Sequence, residues 1–375
     1  MSFDILLWTS ELSSQVSKAM SRKKSVDKCS FQGWFNAMAS MKLTKLSEQM
    51  KEEFEELQNV ILIPHNHIEF SKNSTNGRVR YSDIPCLDIS RVKLRFPVDG
   101  NDFIHANWVK LPHSPFIYII TQAPLEGTVS HFWSMVWHEE VRAVVCLVVI
   151  TEQNELKDRP YWPVKPGENL ESGEFSVQQV EKIMHNQLQI TLLRLVNKST
   201  DESRELSHYM LLNWPDHAPP TCTHAILEAM EIMEKNLLRE NDKLPVIVVH
   251  CSAGVGRAGT FVCLNNLIHI ADKNKPINIQ AVVRAVRKQR ALSVQSFPQY
   301  AFLHWALLVH MMKKDSSLKH VLEKSRKTVH AIKEWSTDSE CVEFPQIKRK
   351  KVFGKFNQRV KGMFSKMNLN KQKKR

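Results

Sequence analysis

The sequence predicts an α/β (α+β) domain in which helices flank a twisted, mixed β-sheet. Three short apolar runs, Ile117–Thr121, Ala143–Ile150 and Val246–Val249, are typical of strands that are buried on both faces. Gln189–Leu195 alternates between apolar and polar residues, as a strand with one covered face does. Helical periodicity occurs between and after these runs, and strands mixed with helices in this way predict a largely covered sheet.

Apolar residues that recur every three or four positions predict the helices. The first pattern runs through Leu43, Leu46, Met50, Phe54 and Leu57. Further helical patterns cover 128–141, 224–239, 257–272, 279–288 and 299–313, and one more covers 318–334. The polar, glycine-containing segment 71–80 predicts a loop between the first helix and the first strands.

These patterns divide the chain into an N-terminal extension (1–40), a single folded domain (41–315), a linker or helix (316–345) and a basic amphipathic tail (346–375). No run of about 18 apolar residues occurs, so no transmembrane helix is expected. The start, MSFDILLWTS, has no leading positive charge, so no secretory signal is expected. The seven cysteines are odd in number and contain no CxxC pair. A disulfide framework and a zinc cluster are therefore disfavoured, and a reducing compartment is expected.

The positive charge of the chain is concentrated at its C-terminus. The formal net charge is +13, and residues 348–375 contain twelve Lys or Arg and no Asp or Glu, which leaves about +1 for the rest. The charge of the body therefore gives no indication of an anionic partner.

The tail has the pattern of a basic amphipathic helix. Its apolar residues at helical spacing are Val352, Phe353, Phe356, Val360, Met363, Phe364 and Met367. Such a helix predicts binding to an anionic membrane surface or to a calmodulin-type partner. The lysine- and arginine-rich clusters at 348–351 and 371–375 leave nuclear import or nucleic-acid contact as an alternative that we favour less. A disordered, solubilising tail is the third alternative.

The segment 246–261, VIVVHCSAGVGRAGTF, carries the strongest chemical signal in the chain. The residues between Cys251 and Arg257 are Ser252, Ala253, Gly254, Val255 and Gly256. These small residues let the backbone curl, and successive N–H groups in such a curl, at a helix N-terminus, bind an anion. The same positive field favours a thiolate at Cys251, and Arg257 offers a planar fork to two oxygens. The segment therefore predicts a nucleophile below a preformed anion cradle.

HCSAGVGRAGTF resembles the phosphate loop of cysteine-dependent, phosphotyrosine-specific protein phosphatases of the non-receptor type. The similarity extends across roughly 45–315 in several motifs that follow the family order. These motifs are RYSDIPCLDISRVKL (80–94), DFIHANWV (102–109), YIITQAPLEGTVSHFWSMVW (118–137), YWP (161–163), NWPDHAPP (213–220) and VQSFPQY (294–300). The resemblance implies a phosphotyrosine phosphatase-like catalytic domain at 41–315. It also implies hydrolysis of phosphotyrosine in partner proteins without a metal or other cofactor.

The resemblance assigns the reacting groups. Cys251 matches the nucleophile that forms a cysteinyl-phosphate, and Arg257 matches the arginine that binds phosphate together with the backbone of 252–256. Asp216 matches the general acid and base of a mobile loop, in which Trp214 is the anchor.

Other matches concern the substrate and the second step. Tyr81 matches an aromatic wall whose depth selects phosphotyrosine over phosphoserine, and Asp83 matches a carboxylate that binds the substrate backbone. Gln295 and Gln299 match two glutamines, of which the first holds the attacking water. The remaining matches are Glu152 and Lys157, which would contact the closed loop, and His250, a structural histidine that orients the phosphate loop.

The chain departs from the family pattern at Ala258, His217, Ala218, His105, Ala123 and Ser82. Ala258 replaces a Ser or Thr whose hydroxyl donates to the departing thiolate. A hydrogen bond to a charged group contributes about 1.5–3 kcal/mol. Its loss predicts dephosphorylation of Cys251 slowed by roughly 10- to 150-fold.

Three other functions remain open as alternatives. The first is a pseudophosphatase that sequesters phosphotyrosine proteins, and the second is a scaffold that acts through its tail on a membrane or nucleic acid. The third, a phosphatase for RNA 5′ ends or lipids, is disfavoured by Tyr81 and by the Trp-Pro-Asp type of acid. The departures and the short chain resemble most the phosphatases encoded by insect-associated bracoviruses. That resemblance implies action in the cytoplasm of a host cell, on signalling phosphoproteins, with the membrane or the nucleus reached through the tail.

Overall fold

The computed structural model describes residues 31–59, 66–98, 100–148, 151–152, 155–156, 160–165, 167–238, 243–316, 318, 323–336 and 362. In chain order the elements are α1 (Phe31–Ala39), α2 (Leu43–Gln58), α3 (Ile68–Asn73), β1 (Arg91–Val98), β2 (Asn101–Val109), β3 (Ile117–Thr121), α4 (Val129–His138), β4 (Ala143–Cys146), β5 (Thr151–Glu152), β6 (Glu155–Leu156), β7 (Asn169–Ser172), β8 (Phe175–His185), β9 (Leu188–Asn197), β10 (Glu202–Leu211), α5 (Thr223–Leu237), β11 (Val246–His250), α6 (Gly256–Asp272), α7 (Ile279–Arg287), α8 (Phe297–Lys314) and α9 (Arg326–Trp335).

A nine-stranded sheet in the order β1-β2-β3-β11-β4-β10-β9-β8-β7 runs through the middle of the molecule. β11 pairs in parallel with β3 and β4, and β4 pairs in parallel with β10, while the remaining strands pair antiparallel. The apolar run that forms β11 is thus enclosed on both edges and both faces. The C-terminal end of β11 therefore delivers the next residue, Cys251, to the edge of the parallel strands, where α/β sheets hold their ligands.

Two apolar cores cover the sheet, one on each face. Helices α1, α2 and α5 to α8 pack into the larger core. Helix α4 contributes Trp133 and Trp137 to the smaller core, which also contains Tyr161. α6 is buried on nearly every side, so the helix that starts at the phosphate loop is fixed in place. The twisted mixed sheet with flanking helices confirms the predicted fold class.

Most predicted elements are confirmed. The strands predicted at 117, 143, 189 and 246 are β3, β4, β9 and β11, although β4 ends at Cys146, and the first six predicted helices are α2 and α4 to α8. The last helical pattern, 318–334, is a helix from Arg326 onward. The prediction of a loop at 71–80 is wrong at its start, because α3 extends to Asn73. The carboxylate of Asp88 accepts hydrogen bonds from the backbone of Ile68 and Glu69, and this cap comes from 20 residues away.

The packed part of the molecule extends on both sides of the predicted 41–315 boundaries. α1 buries Phe31, Phe35 and Met38 in the larger core, and α9 packs on α8. Among the described helices, none combines the length and the apolar composition that a membrane crossing needs. The predictions for the basic tail, apart from position 362, lie outside the described residues.

Candidate active site

The loop from Cys251 to Arg257 joins the end of β11 to the start of α6. Gly254 has a φ of +69°, and a Cβ on it would stand 2.1 Å from the carbonyl oxygen of Thr121 on β3. Only glycine fits that conformation and that close approach. The loop therefore curls tightly over the N-terminus of α6, where the helix dipole favours an anion. Cys251 lies at the base of the curl and is only 3% exposed.

Arg290, which is fully buried, holds the outer side of this curl. Its Nε donates to the carbonyl oxygen of Gly254 and its Nη2 to that of Ala253, both at 2.9 Å. Its Nη1 donates to Oδ1 of Asn107 at 2.8 Å. Because these loop carbonyls point outward, the N–H groups face the centre of the loop, as an anion site requires. Arg290 is not among the residues predicted from the sequence, because a lone arginine five residues before Gln295 carries no signal of its own.

The loop that carries the predicted acid is docked onto the phosphate loop. Arg257, which is 1% exposed, donates from Nη1 to the carbonyl oxygen of Trp214 at 2.9 Å. Its Nη2 lies 3.0 Å from Oδ1 of Asp216. The indole of Trp214 in turn donates to the carbonyl oxygen of Ala218 at 2.9 Å. One arginine thus connects the nucleophile loop with the backbone and the carboxylate of the acid loop.

A second set of hydrogen bonds joins the acid loop to the start of α8. The hydroxyl of Ser296 donates to the carbonyl oxygen of His217 at 2.8 Å, and Nε2 of Gln299 donates to that of Ala218 at 3.4 Å. His217 and Asn213 have φ values of 54° and 63°, which are uncommon for residues other than glycine. His217 and Ala218, two departures from the family pattern, therefore do not prevent docking of the loop, because their backbone oxygens make the contacts.

The two predicted glutamines differ in position. Gln299 is fully buried, and its Oε1 accepts hydrogen bonds from the backbone of Gln295 at 2.9 Å and Ser296 at 3.3 Å. The amides of both glutamines border the phosphate loop, because Nε2 of Gln299 and Oε1 of Gln295 lie 3.0 and 3.1 Å from the point where a Cβ on Gly256 would stand. Gln295 is partly exposed whereas Gln299 is buried, so Gln295 is the one able to reach a water above the loop.

The predicted recognition residues form one side of the cleft. The hydroxyl of Tyr81 lies 2.8 Å from Oγ of Ser252, and the side chain of Tyr81 is 38% exposed. Its ring therefore stands as a wall whose foot is attached to the phosphate loop. Asp83 is exposed on the same turn, which the hydrogen bond from Ile84 N to Tyr81 O closes at 3.2 Å.

A comparison with models of protein families matches residues 75–309 to protein-tyrosine phosphatases. This match covers more than half of the chain and contains every residue of the cleft described above. The chain belongs to the protein-tyrosine phosphatase family. The resemblance seen in the sequence is thereby confirmed at the level of the family.

Three relatives illustrate the similarity. The phosphatase chain is 33% identical to human receptor-type tyrosine-protein phosphatase eta over 71% of its own length and 20% of that protein. It is 35% identical to human tyrosine-protein phosphatase non-receptor type 2 over 68% of its length and 61% of that protein. The mouse form of the latter is 32% identical over 81% of the chain and 74% of that protein. The chain thus spans about a fifth to three quarters of these relatives.

Behind Cys251 runs a buried chain of hydrogen bonds. The hydroxyl of Tyr161 lies 2.7 Å from Nε2 of His250 and 2.9 Å from Nε2 of His208, and Nδ1 of His250 lies 3.2 Å from the carbonyl oxygen of Cys251. Since a carbonyl only accepts, Nδ1 of His250 carries the proton, Tyr161 donates to His250, and His208 donates to Tyr161. Burial lowers the pKa of His208 to about 3 and that of His250 to about 4, so both rings are neutral. This geometry agrees with the structural role expected for His250.

Cys146, His208 and His250 place their ligand atoms within 4.8 Å of one another, the one such group found in the described part of the chain. The hydroxyl of Tyr161 already engages Nε2 of both histidines. These nitrogens therefore belong to the hydrogen-bond chain behind Cys251. The five cysteines that the structure describes are free thiols.

The structure brings most of the predicted site residues to one cleft: Cys251, Arg257, Asp216, Gln295, Gln299, Tyr81, Asp83 and the loop 252–256. Ala258 is fully buried in the first turn of α6. The side chain of Glu152 and the whole of Lys157 lie outside the described residues.

Proposed function

We propose that this phosphatase hydrolyses phosphotyrosine in proteins through a cysteinyl-phosphate intermediate. The observation that carries the proposal is the double contact of Arg257. The side chain that closes the anion cradle above Cys251 also contacts Oδ1 of Asp216 at 3.0 Å and the carbonyl oxygen of Trp214. A nucleophile, an anion site and an acid therefore share one small space, which is the arrangement that transfer of a phosphoryl group requires.

In the first step the thiolate of Cys251 attacks phosphorus. The N–H groups of the loop and the guanidinium of Arg257 bind the non-bridging oxygens. As the bond between phosphorus and the tyrosine oxygen breaks, its electron pair passes to that oxygen, and the protonated carboxyl of Asp216 donates a proton to it. The products are a free tyrosine side chain, a cysteinyl-phosphate and the carboxylate of Asp216.

In the second step a water attacks the cysteinyl-phosphate. The carboxylate of Asp216 accepts a proton from the water, whose oxygen bonds to phosphorus while the amide of Gln295 orients it. The bond between sulfur and phosphorus breaks with its electron pair returning to Cys251, and inorganic phosphate leaves. Ala258 supplies no hydroxyl to stabilise the departing thiolate, so this step limits turnover.

Selectivity for phosphotyrosine follows from the wall beside the loop. The foot of Tyr81 is attached to Ser252 by the 2.8 Å contact between their hydroxyls, which holds the ring beside the anion cradle. A phosphoserine is too short to bring its phosphorus down to Cys251 past this ring. Asp83, exposed on the same turn, is placed to bind the backbone of a substrate peptide.

The test is release of phosphate from a phosphotyrosine peptide and from the matched phosphoserine peptide, by the wild type and by Cys251→Ser. Activity on the first peptide alone, abolished by the substitution, is the expected result. An inactive wild type that still binds the phosphotyrosine peptide tightly would refute the proposal in favour of a sequestering pseudophosphatase. In that case Ala258 and His217 would be the residues to revert first.

For the tail, we propose attachment to an anionic membrane surface from the cytoplasm. The support is the basic amphipathic pattern of 352–367 and the twelve basic residues of 348–375. Co-sedimentation of the full chain and of a chain ending at 345, with neutral and with anionic liposomes, tests it. We expect the full chain to bind anionic liposomes and not neutral ones. A full chain that binds neither would rule out membrane attachment through the tail. A host cell and its signalling proteins as the setting remain predictions from sequence resemblance.

A further inference from the structure

His105 is a buried histidine on β2 that contacts both the floor and the wall of the phosphotyrosine cleft. It stands where the family block has asparagine, and it is 2% exposed. Its Nε2 lies 2.8 Å from the carbonyl oxygen of Ile84, and its Nδ1 lies 3.2 Å from Nη2 of Arg290. A guanidinium only donates and a carbonyl only accepts, so Nδ1 accepts from Arg290 and Nε2 donates to Ile84. One neutral tautomer satisfies both partners.

The two partners belong to different walls of the site. Ile84 closes the turn that carries Tyr81, through the 3.2 Å hydrogen bond from its N–H to the Tyr81 carbonyl. The same nitrogen of Arg290 that donates to His105 also donates to the carbonyl oxygen of Ala253 in the phosphate loop. The side chain of His105 is therefore the shared contact between the turn that bears the wall and the arginine that holds the floor.

The ring of His105 is itself held on several sides. Phe70 and Phe103 pack against it edge to face, with ring centroids 5.7 and 6.4 Å away. Its carbonyl oxygen accepts a hydrogen bond from Oγ1 of Thr121 at 3.0 Å, which ties β2 to the end of β3. Because the ring is held in place, it keeps the carbonyl of Ile84 and the guanidinium of Arg290 at a constant distance from each other.

We propose that His105 is a positioning residue that sets the height of Tyr81 above the phosphate loop and thereby the selectivity of the cleft for phosphotyrosine. The inference deepens the proposed function and rests on it. Burial, together with the charge of Arg290, lowers the pKa of His105 to about 3, so the bridging tautomer persists at neutral pH.

Two substitutions separate the two ends of the ring. In His105→Asn the amide is able to take the place of Nδ1 and accept from Arg290, but it ends short of Ile84. In His105→Gln the longer amide reaches the position of Nε2 and donates to Ile84, and the acceptor for Arg290 is lost. His304→Asn is the matched control, because His304 is equally buried but bonds the carbonyl of Tyr300 within α8.

Dissociation constants measured in a Cys251→Ser background report the two walls separately. Tungstate, a tetrahedral oxyanion, probes the phosphate loop alone, and a phosphotyrosine peptide probes the loop and the wall. For His105→Asn we expect the Kd of the peptide to rise about 5- to 10-fold, the effect of one hydrogen bond, with the Kd of tungstate within about twofold of the parent. For His105→Gln we expect both constants to rise by a similar factor, because both ligands use the loop that Arg290 holds.

Two further measurements guard against a general structural effect. Tyr81→Ala, which removes the wall, should reproduce the pattern of His105→Asn, and His304→Asn should leave both constants unchanged even if its Tm falls. The inference fails if His105→Asn raises both constants equally or raises neither. The dissociation constants do not depend on turnover. A wild type without phosphatase activity would therefore refute the proposed function, while the binding data would still test the role of His105.

Discussion

Lowering the pH from about 7 to about 5 should remove about 6 kcal/mol from the free energy of unfolding, because three buried histidines stay neutral in the folded phosphatase. Burial lowers the pKa of His105 to about 3, of His208 to about 3 and of His250 to about 4. In the unfolded chain each titrates near the ordinary value of about 6.5. Between these pKa values the unfolded state binds protons that the folded state does not bind, so the free energy of unfolding falls as the pH falls.

The size of this loss of stability follows from the pH range between the pKa values of the histidines in the folded and the unfolded state. Each histidine changes the free energy of unfolding by about 1.4 kcal/mol per pH unit, so the three together give about 4 kcal/mol per unit below about pH 6. Burial lowers the pKa of His304 as well, which adds to the slope in the same direction. The carboxylate of Asp272, whose pKa its contacts with His310 and Lys314 lower to about 2, loses its contribution only below about pH 4. The loss above pH 5 therefore reports the histidines.

Urea unfolding followed by tryptophan fluorescence at several pH values between about 5 and 7 measures this slope. His208→Gln is the informative variant, because it removes one titrating group and should reduce the slope by about 1.4 kcal/mol per pH unit, whatever it does to the stability at pH 7. A wild-type slope no larger than that of a single histidine would refute the reasoning. So would a slope that the variant leaves unchanged.

Three further predictions concern the chemistry. Ala258→Ser should speed hydrolysis of the cysteinyl-phosphate by roughly 10- to 150-fold, seen as loss of the rapid product burst of the wild type; a wild type that shows no burst contradicts this expectation. Asp216→Asn should lower kcat/KM, which reports formation of the cysteinyl-phosphate, about 10²- to 10⁴-fold for phosphotyrosine and far less for an aryl phosphate with an acidic leaving group; equal losses of kcat/KM on both substrates would remove Asp216 as the acid. Gly254→Ala should abolish binding of tungstate, measured by calorimetry, because its Cβ would overlap the carbonyl of Thr121; retained binding would contradict the close approach.

The residues of the candidate anion loop could be picked out from the sequence because their signal is local. Cys251, the small residues after it and Arg257 are neighbours in the chain, so a turn between a strand and a helix could be read directly. Arg290 lies 39 positions after Cys251 and acts through backbone carbonyls, which leave no trace in residue type. The cap that Asp88 supplies to α3 also acts on backbone groups far away in the chain, so the local pattern predicts a loop where residues 71–73 are helical.

The sequence shows that His105 departs from the family block, but it does not show which groups the histidine contacts. A histidine inside a strand is compatible with many environments, and only the packing shows that its two nitrogens face Ile84 and Arg290. His217 and Ala218 are the converse case. As residue types they depart from the family pattern, yet the structure docks the loop through their carbonyl oxygens, which any residue supplies.

The way each part of the site is held indicates where turnover is controlled. The floor is fixed by a fully buried arginine and a glycine with no room for a side chain, and the wall is joined to that floor through the hydroxyl of Ser252 and the ring of His105. The acid loop has no such enclosure: Asp216 is 39% exposed on its side chain, and the loop is held by a few hydrogen bonds to its carbonyls from Arg257, Ser296 and Gln299. Each such bond contributes about 1 kcal/mol, so the loop can open at modest cost while the cradle keeps its shape. Binding should therefore be insensitive to changes in the acid loop, and proton transfer should be sensitive to them.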